Sequence, residues 1–339
     1  MGAPMESSAS KHFCTVVDQG YVCFLLALHQ SLREHAPDWT MHVACLDDTS
    51  LSLLEELALD GLEPIAGREL EEIEPGLTVT REVKPFHDFV MACKPFLMRY
   101  LLDRRRIGAV TWIDADAMSF GPLDSLADLL VGASVLLAPQ GLSPAFRWVE
   151  AKTGRFMGGM VSFSDDEEGR RALGWWADRC LYGGCPRTPD AHRFADQKYL
   201  QEIPGRFAGV GIVDDPTLRL APGSLECHAI SRGPTGPLVD EAPLLLYQYT
   251  GFRLLRSGGY GVTFPPWRVD AEQRELIYEP FFARVQAARR LVQGARPGFD
   301  AVLSPPPSAT ERAMAVGSHA KGVLHRTHHR LRSRSASDR

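Results

Sequence analysis

The first half of the chain alternates short apolar runs with longer runs in which apolar residues recur at helical spacing. The short runs predict buried strands at Phe13–Val17, Met41–Leu46, Ala109–Ile113 and Val135–Ala138. The longer runs predict helices at Tyr21–His35, at Leu51–Leu59 with Thr49 or Ser50 as the cap, and at Val90–Leu102. This strand–helix rhythm predicts an α/β fold with a mainly parallel, doubly wound sheet flanked by helices.

The second half is less regular and ends in a segment of different composition. Its pattern predicts a strand at Phe156–Phe163, helices at Glu167–Arg179 and Ala195–Gln201, a strand at Leu244–Tyr249, and a last helix from Ala271 to about Gln293. Three prolines at 305–307 then interrupt the chain. We therefore expect a flexible N-terminus over residues 1–11, one folded domain over 12–300, and a Pro-rich linker with a disordered basic tail over 301–339.

The composition indicates a globular protein, and together with the cysteine count it favours one cellular compartment. Hydrophobic residues make up 45% of the 339 residues, which is typical of a globular protein. The longest apolar stretch, Tyr21–Leu32, is shorter than the roughly 20 residues that cross a bilayer. Met1–Ser10 lacks the pattern of a secretory signal, and the seven cysteines form an odd number. These features favour a cytoplasmic protein, because the cytoplasm keeps thiols reduced.

The net charge of −5 is unevenly distributed along the chain. The segment 311–339 contains seven Lys or Arg and two Asp or Glu, so it carries +5 while the rest of the chain carries −10. An acidic body argues against nucleic acid as the main partner. The basic tail predicts at most a weak peripheral contact with an anionic membrane, such as the inner face of the cell membrane.

Two carboxylates at the end of one predicted strand are the strongest candidate for chemistry. The run Val110-Thr-Trp-Ile is followed by Asp114-Ala-Asp116. In open α/β sheets, ligands bind beyond the carboxyl ends of the strands. Two carboxylates at this spacing can share a divalent cation of the Mg²⁺ or Mn²⁺ kind, which would neutralise charge on a phosphorylated ligand. The alternative is an acidic turn that only ends the strand.

Two further polar groups stand at predicted helix starts. Asp18, Gly20 and Tyr21 follow the first strand, where a helix N-terminus can approach a phosphate and an aromatic ring can stack on a base. The alternative is an ordinary turn with a core aromatic residue. Asp196 and Gln197 follow a stretch rich in Gly and Pro and can line a cleft, although simple helix capping explains an Asp there equally well.

Taken in order along the chain, these motifs resemble the family 8 retaining glycosyltransferases, of the glycogenin and bacterial lipopolysaccharide galactosyltransferase kind. The matching motifs are Asp18-Gln-Gly-Tyr21, Lys94, Ile-Asp114-Ala-Asp116, Phe-Met-Gly158-Gly-Met, Asp196-Gln197 and Tyr-Gln248-Tyr-Thr-Gly, over roughly residues 12–255. The resemblance implies a GT-A fold and transfer of a hexose from a nucleotide sugar, usually a UDP-sugar, to an acceptor hydroxyl. It also implies retention at the anomeric carbon and Mn²⁺ or Mg²⁺ as cofactor.

The resemblance assigns a role to each matching residue. The donor nucleotide sugar would contact Val17, Asp18, Tyr21, Lys94, Asp114, Ala115, Gly158, Gly159 and Arg253. The metal ligands would be Asp114, Asp116 and Gln248. Asp196 and Gln197 would lie beside the reacting sugar carbon. One of that pair acts as nucleophile, or the pair stabilises an ion-pair-like transition state in which the leaving phosphate activates the acceptor.

The chain departs from the family pattern at two places. Met157 stands where the family has Asn, and Gln248 stands where it has a His metal ligand. The family's Lys-Pro-Trp is also missing; Arg253 or Arg256 could contact the phosphate in its place, and the alternative for both is a solvated surface arginine. A Gln carbonyl oxygen is an acceptable but weaker ligand for a hard cation. The acceptor is open: a glycan, a lipid-linked sugar, a protein and a small metabolite are all compatible with the sequence.

Two other classes of protein compete with a transferase. A degenerate transferase would bind the nucleotide or sugar without turnover, and Met157 and Gln248 favour it. A phosphatase of the haloacid dehalogenase type also ends a strand in Asp-x-Asp, with the first Asp as nucleophile. That class usually has Thr or Val where this chain has Met118, and its motif lies nearer the N-terminus.

Overall fold

The structure is a computed structural model, and it describes residues 11–262, 267 and 269–304. The predicted flexible N-terminus and basic tail lie outside these residues, except for Lys11 and residues 301–304. The strands are β1 His12–Val17, β2 Thr40–Cys45, β3 Leu62–Ala66, β4 Ala109–Ile113, β5 Ala117–Ser119, β6 Val135–Pro139, β7 Phe156–Ser164, β8 Val210–Ile212, β9 Ile230–Arg232, β10 Pro237–Val239, β11 Ala242–Pro243, β12 Leu246–Gln248, β13 Phe252–Leu255, β14 Tyr260–Val262 and β15 Leu303–Ser304.

Helices cover both faces of the main sheet. The α-helices are α1 Val22–His35, α2 Asp48–Leu57, α3 Gly67–Ile73, α4 Pro75–Val83, α5 Phe86–Arg104, α6 Asp124–Leu130, α7 Arg147–Thr153, α8 Glu167–Asp178, α9 Pro216–Arg219, α10 Ala271–Gln273 and α11 Glu279–Ala295. Short 3-10 helices lie at Pro144–Phe146, Gln197–Gly205 and Leu225–Cys227, and π-helical turns at Arg179–Gly183 and Arg274–Tyr278. In the described part of the chain, every helix is too short or too polar to cross a membrane.

The main sheet has seven strands in the order β3-β2-β1-β4-β7-β6-β8. The pairs β1–β2, β2–β3, β1–β4 and β6–β8 are parallel, whereas β7 runs antiparallel to both β4 and β6. This confirms the predicted α/β architecture with a mainly parallel sheet. The sequence pattern did not predict the antiparallel strand, because its direction is set by pairing with partners distant in the chain.

The core consists of two apolar layers, one on each face of the sheet. Alternate residues of a strand point to opposite faces, so Phe13 and Val17 belong to one layer while Cys14 and Val16 belong to the other. The first layer packs against α1 and α11, and the second against α5 and α8. Both faces of β1 are therefore buried, which explains why its sequence is continuously apolar.

Several predicted boundaries shift in the structure. Asp47, rather than Thr49 or Ser50, caps α2, since its carboxylate accepts a hydrogen bond from the Ser50 N–H. The helix α5 begins at Phe86 rather than at Val90, directly after Pro85 in an extended conformation. The predicted helix around Gln197 is a 3-10 helix and begins at Gln197.

Candidate functional site

The candidate site lies where β1 and β4 end. These neighbouring strands are parallel, so Asp18 after β1 and Asp114 after β4 leave the sheet at the same edge. A small sheet supports the same edge, because β12 pairs antiparallel with β5 and sets Gln248 opposite Ala117. The backbone of Asp116 is fixed there too, as its carbonyl accepts a hydrogen bond of 2.7 Å from the Tyr249 N–H.

Asp114 is held from several sides. Its backbone N–H donates to the Gly159 carbonyl at 3.0 Å. Its Oδ1 accepts from Trp112 Nε1 at 2.8 Å and from Lys94 Nζ at 3.0 Å. Its Oδ2 accepts from Gln248 Nε2 at 2.6 Å. Each carboxylate oxygen of Asp114 is thus engaged by at least one protein donor.

Lys94 on α5 joins the two acidic parts of the site. Its side chain is buried, and Nζ lies 3.0 Å from Asp114 Oδ1 and 3.6 Å from Asp196 Oδ2. Nζ also donates to the Gly158 carbonyl at 3.4 Å and lies 4.9 Å from the Trp112 ring centre. Burial alone would lower the pKa of the ammonium, but the carboxylates of Asp114 and Asp196 outweigh it and raise that pKa. Lys94 therefore remains a buried cation at neutral pH.

Asp196 is the most deeply buried carboxylate of the site, with only 1% of its surface exposed. Its Oδ2 accepts no hydrogen bond among the described residues. Burial raises its pKa to about 6, although Lys94 opposes the shift. Its position is set through the backbone, because its carbonyl accepts from Trp176 Nε1 at 3.0 Å. Trp176 is therefore a core residue that positions Asp196.

Gln197 and the glycine pair form the opposite wall. Gln197 Oε1 accepts from the Gly158 N–H at 3.1 Å, and its Nε2 donates to the Thr153 carbonyl at 3.0 Å. A Cβ on Gly158 would lie 3.1 Å from Asp196 Oδ2, and one on Gly159 would overlap the Gln248 side chain. The strand β7 thus has glycines at the two positions that the side chains of Asp196 and Gln248 approach.

Asp116 gives the site an excess of negative charge. Burial, and then the neighbouring charge of Asp114, raise its pKa to about 7, while Lys94 only partly opposes them. Among the described residues, no side chain donates a hydrogen bond to its carboxylate. Asp114, Asp116 and Asp196 therefore share the buried cation of Lys94 at high pH.

These side chains surround a cavity of about 240 Å³. Its lining residues are Met91, Lys94, Asp114, Gln140, Leu142, Val149, Thr153, Met157, Gly158, Gly159, Phe194, Ala195, Asp196, Gln197, Ala221, Pro222, Gly223, Gln248, Thr250 and Trp267. Most of the residues predicted to touch the reacting sugar thus line one cavity. The predicted residues that do not line it are Val17, Asp18, Tyr21, Ala115, Asp116 and Arg253.

Tyr21 and Asp18 lie beside the cavity rather than in it. Tyr21 is half-exposed. Burial of its hydroxyl raises the pKa of the phenol, and the charges of Asp116, Asp114 and Asp18 raise it further, which sets this hydroxyl near the acidic groups. Burial also raises the pKa of Asp18. Tyr21 and Asp18 thus extend the site along the sheet edge, toward the end of β1.

Three other predicted contacts have less support from their positions. The side chains of Val17 and Ala115 are buried in the core, so only their backbones can meet a ligand. The Val17 carbonyl already accepts a hydrogen bond of 2.8 Å from the Leu46 N–H. Arg253 lies on β13, outside the cavity lining, and its contact with a donor stays a prediction.

Two carboxylates of the site could hold a divalent cation. Asp114 and Asp116 offer the oxygen ligands that Mg²⁺ and Mn²⁺ prefer. Burial, and then the charge of Asp114, raise the pKa of Asp116, and a bound cation would favour its ionised form. Gln248 points its amide nitrogen at Asp114, so the amide would have to turn to offer its oxygen. Among residues 11–262, 267 and 269–304, no group of three His, Cys, Asp or Glu is arranged for a metal.

Several residues at or near the site were not predicted from the sequence. Trp112 holds Asp114 through its indole N–H, and its place in an apolar strand gave no hint of that bond. Trp267 lines the cavity and packs edge-on against Phe146 at 4.7 Å. Arg187 is exposed; its charge partly opposes the rise in the pKa of Tyr21, and it adds to the effect of burial in lowering the pKa of His87. A lone Arg in a loop rich in Gly and Pro carries no sequence signal for such a position.

Solved structures share this fold. The galactosyltransferase LgtC, in complex with donor and acceptor sugar analogs, aligns with a TM-score of 0.50 at 13% identity, over 81% of this chain and 95% of that chain. The apo bifunctional glycosyltransferase WbbM aligns with a TM-score of 0.51 at 14% identity, over 85% of this chain and 52% of that chain. The fold is therefore that of the GT-A glycosyltransferases, as predicted.

Sequence comparison finds relatives in one bacterium. The uncharacterized protein YfnD of Bacillus subtilis (strain 168) is 25% identical over 292 residues, which is 85% of this chain and 93% of YfnD. The uncharacterized protein YfnF of the same strain is 27% identical over 253 residues, which is 72% of this chain and 82% of YfnF. No model of a known protein family matches the chain. Membership of family 8 stays a prediction.

Proposed function

We propose that this protein transfers a hexose from a nucleotide sugar, preferably a UDP-sugar, to an acceptor hydroxyl with retention at the anomeric carbon. The observation that carries the proposal is the position of Lys94. It contacts Asp114 and Asp196 at the edge of the sheet where α/β proteins bind ligands, and all three line one cavity. Acidic groups at a sheet edge with a buried cation between them suit a ligand that has both hydroxyls and phosphates.

The cavity suits the sugar part of the donor. Gly158 and Gly159 leave β7 open for close approach, while Asp114, Asp196 and Gln197 offer oxygens and an amide to sugar hydroxyls. The diphosphate would lie toward Asp116 and the nucleoside toward Tyr21 and Asp18, outside the cavity. This order follows the sheet edge from β7 across β4 to β1.

The proposed reaction exchanges one bond at the sugar's anomeric carbon for another. The bond from that carbon to the diphosphate oxygen breaks, and a bond to the acceptor oxygen forms on the same face. The acceptor's proton passes to the departing phosphate oxygen. Asp196 and Gln197 stabilise the positive charge that develops on the sugar ring, and Lys94 sets the charge state of Asp196. This route needs no strong base of the protein.

We further propose that Mn²⁺ or Mg²⁺ assists, held by Asp114 and Asp116 with the Gln248 amide beside them. When bound, such an ion neutralises charge on the leaving diphosphate. The raised pKa of Asp116 supports this assignment, because Lys94 compensates the charge of that carboxylate only in part.

The bonds of Asp114 argue against one of the two rivals but not against the other. A phosphatase of the haloacid dehalogenase type needs a free nucleophilic carboxylate there, whereas Lys94, Trp112 and Gln248 all donate to this one. The same bonds favour the second rival, a protein that binds a nucleotide sugar without turnover. In that case the amide of Gln248 keeps its bond to Asp114 and no metal enters.

The test is nucleotide release. Purified full-length protein is incubated with UDP- and GDP-sugars and Mn²⁺, with Asp116→Ala as the inactive variant and Asp128→Ala, an exposed acid on α6, as its matched control. We expect release by wild type and by Asp128→Ala but not by Asp116→Ala. A nucleotide-induced thermal shift without release identifies the binding-only protein. Absence of both release and shift with every donor contradicts the proposal.

A further inference from the structure

Ala195, the residue directly before Asp196, has an unusual backbone conformation. Its φ is 45°, in the left-handed region that residues with a side chain rarely adopt. Ala195 is buried and lines the cavity of the site. Conformations of this kind persist only where the surrounding structure holds them, and they concentrate at functional sites. The contacts on both sides of Ala195 must therefore keep it in this conformation.

Hydrogen bonds fix the chain before and after Ala195. Its N–H donates to the Pro186 carbonyl at 2.9 Å. On the other side, the Asp196 carbonyl accepts from Trp176 Nε1 at 3.0 Å. Trp176 is fully buried on α8 and stacks on Phe163 of β7, with 5.8 Å between the ring centres. Because the fold holds both ends, φ and ψ of Ala195 determine the direction in which the Asp196 side chain leaves the backbone.

This direction takes Asp196 away from the usual role of an acid at a helix start. Asp196 precedes the 3-10 helix Gln197–Gly205, but its side chain makes no capping hydrogen bond. The Lys198 N–H, to which a capping carboxylate could bind, donates to the Phe194 carbonyl at 3.1 Å. Helix capping, the alternative that the sequence left open, therefore does not explain this acid.

The Asp196 carboxylate lies in the site instead, where its neighbours leave it little room. Its Oδ2 is 3.6 Å from Lys94 Nζ, and a Cβ on Gly158 would lie 3.1 Å from the same oxygen. A carboxylate enclosed this closely between α5 and β7 cannot turn far without a collision. A rotation of the backbone at Ala195 would therefore carry the carboxylate out of contact with Lys94.

We propose that Ala195 is a positioning residue of the transferase: its left-handed conformation places the Asp196 carboxylate beside Lys94, at the position of the reacting sugar carbon. Ala195 acts through Asp196 and takes no part in the bond exchange itself. Position 195 therefore accepts residues that adopt the left-handed region, such as Gly and Asn, and rejects β-branched residues. The catalytic consequence rests on the proposed sugar transfer, whereas the placement of the carboxylate does not.

Asn and Val at position 195 separate backbone conformation from added volume. Both enlarge the side chain, but Asn enters the left-handed region far more readily than Val. In the nucleotide-release assay, we expect Ala195→Val to have a kcat at least about tenfold below that of Ala195→Asn, with a smaller change in KM for the nucleotide sugar. An equal loss in both variants, or a loss confined to KM, would indicate filling of the cavity and overturn the inference.

Ala58 is the matched control for the backbone. It is also an alanine in the left-handed region, with a φ of 43° at the end of α2, and it is exposed and outside the cavity lining. Ala58→Val should lower the melting temperature, because it meets the same backbone restriction, but should keep the kcat of wild type. Similar losses of kcat from Ala58→Val and Ala195→Val would show that the loss does not depend on the position of Asp196, and would overturn the inference.

The Trp176 indole gives a readout that needs no activity. Its N–H signal in a proton–nitrogen NMR spectrum depends on the bond to the Asp196 carbonyl, and Trp176→Phe identifies that signal among the six tryptophans. We expect the signal to move in Ala195→Val and to stay near its wild-type position in Ala195→Asn. The other indole signals report whether the fold is intact. An unmoved Trp176 signal in folded Ala195→Val would overturn the inference.

Ala195→Gly tests the same point if Ala195→Val does not fold. Gly usually destabilises a helix relative to Ala, but it adopts the left-handed region without strain. Ala195→Gly should therefore lower the melting temperature less than Ala172→Gly, a change at a buried alanine inside α8. A loss at position 195 as large as that at position 172 would overturn the inference.

The two readouts also separate this inference from the proposed function. A moved Trp176 signal with unchanged kcat in Ala195→Val would contradict the role of Asp196 in the proposed transfer and leave its placement by Ala195 intact. If wild type releases no nucleotide, the proposed transfer fails, and the Trp176 signal and the melting temperatures still decide whether Ala195 places the carboxylate.

Discussion

Lys94 is the residue on which the charges of the site depend. It is buried, and Asp114 and Asp196 raise its pKa. Its neighbour Asp196 Oδ2 accepts no hydrogen bond from the part of the chain that the structure describes. A buried ion pair adds little net stability by itself, but removal of one partner leaves an uncompensated charge. The site is therefore more sensitive to loss of this lysine than to loss of any single carboxylate.

Lys94→Met should destabilise the protein by about 3 kcal/mol at pH 8, because two buried carboxylates lose their cation. The loss should be smaller at pH 5, where Asp196, whose pKa is about 6, takes up a proton. Urea unfolding at both pH values measures this difference. Lys152→Met, at an exposed lysine on α7, is the control and should have little effect. An equal loss at both pH values would show that Lys94 does not compensate Asp196.

Asp116→Asn should stabilise the metal-free protein at high pH. The raised pKa of Asp116 means that the folded state keeps a proton that the unfolded chain loses above about pH 4. The contribution of Asp116 to stability therefore falls as the pH rises from about 4 to about 7, and stays constant above. We expect the free energy of unfolding of the variant to be higher than that of wild type by at least about 1 kcal/mol at pH 8, and to equal it near pH 4.

Urea unfolding without metal checks this prediction at the two pH values. Asp128→Asn, at an exposed position on α6, should show no such pH dependence. Mn²⁺ should stabilise wild type more than Asp116→Asn, since the variant lacks a ligand. A variant less stable than wild type at pH 8 would mean that the Asp116 carboxylate has a favourable partner.

At the scale of elements, the site depends on the antiparallel pairing of β7 with β4. The Asp114 N–H donates to the Gly159 carbonyl, and Gln248 from β12 lies directly over Gly159. Three elements distant in the chain thus meet at a residue without a side chain. Close packing of this kind tolerates added volume poorly.

Gly159→Ala should displace Gln248 from Asp114, because the new Cβ would occupy the position of the amide side chain. We expect a loss of about 1–3 kcal/mol in the free energy of unfolding, together with loss of the thermal shift with nucleotide and Mn²⁺. Gly174→Ala on α8 is the control, since its Cβ would meet nothing within 4 Å. That change should stabilise the protein by about 0.5–1 kcal/mol, as an alanine favours a helix. Unchanged nucleotide binding in Gly159→Ala would contradict the assigned role of β7.

The elements that the sequence predicted are those whose signals are local. The strands β1 and β4 are continuous apolar runs, and α1 and α8 repeat apolar residues at helical spacing, so each was found with small errors at its ends. The antiparallel direction of β7 and the short strands β8 to β15 were not predicted in full, because they depend on pairing with distant strands. At the site, Asp18, Asp114 and Asp116 were predicted because they follow strand ends, whereas no spacing encodes the hydrogen bond from Trp112 to Asp114.

At the scale of the whole molecule, a GT-A fold brings residues from six separate segments to one edge of the sheet. Their order along the edge gives the proposed order of nucleoside, diphosphate and sugar. The cytoplasmic location and the membrane contact of the basic tail remain predictions, and that tail lies outside the described residues. The central claim is that the cavity beside Lys94 holds the transferred sugar.

A crystal structure with a non-hydrolysable nucleotide-sugar analogue and Mn²⁺ tests that claim most directly. We predict that the sugar occupies the cavity between Gly158 and Asp196, with the diphosphate beside Asp116 and the base beside Tyr21. The metal, if bound as proposed, would contact Asp114 and Asp116, and the Gln248 amide would have turned its oxygen toward it. A sugar bound elsewhere, or a nucleoside base inside the cavity, would contradict the account.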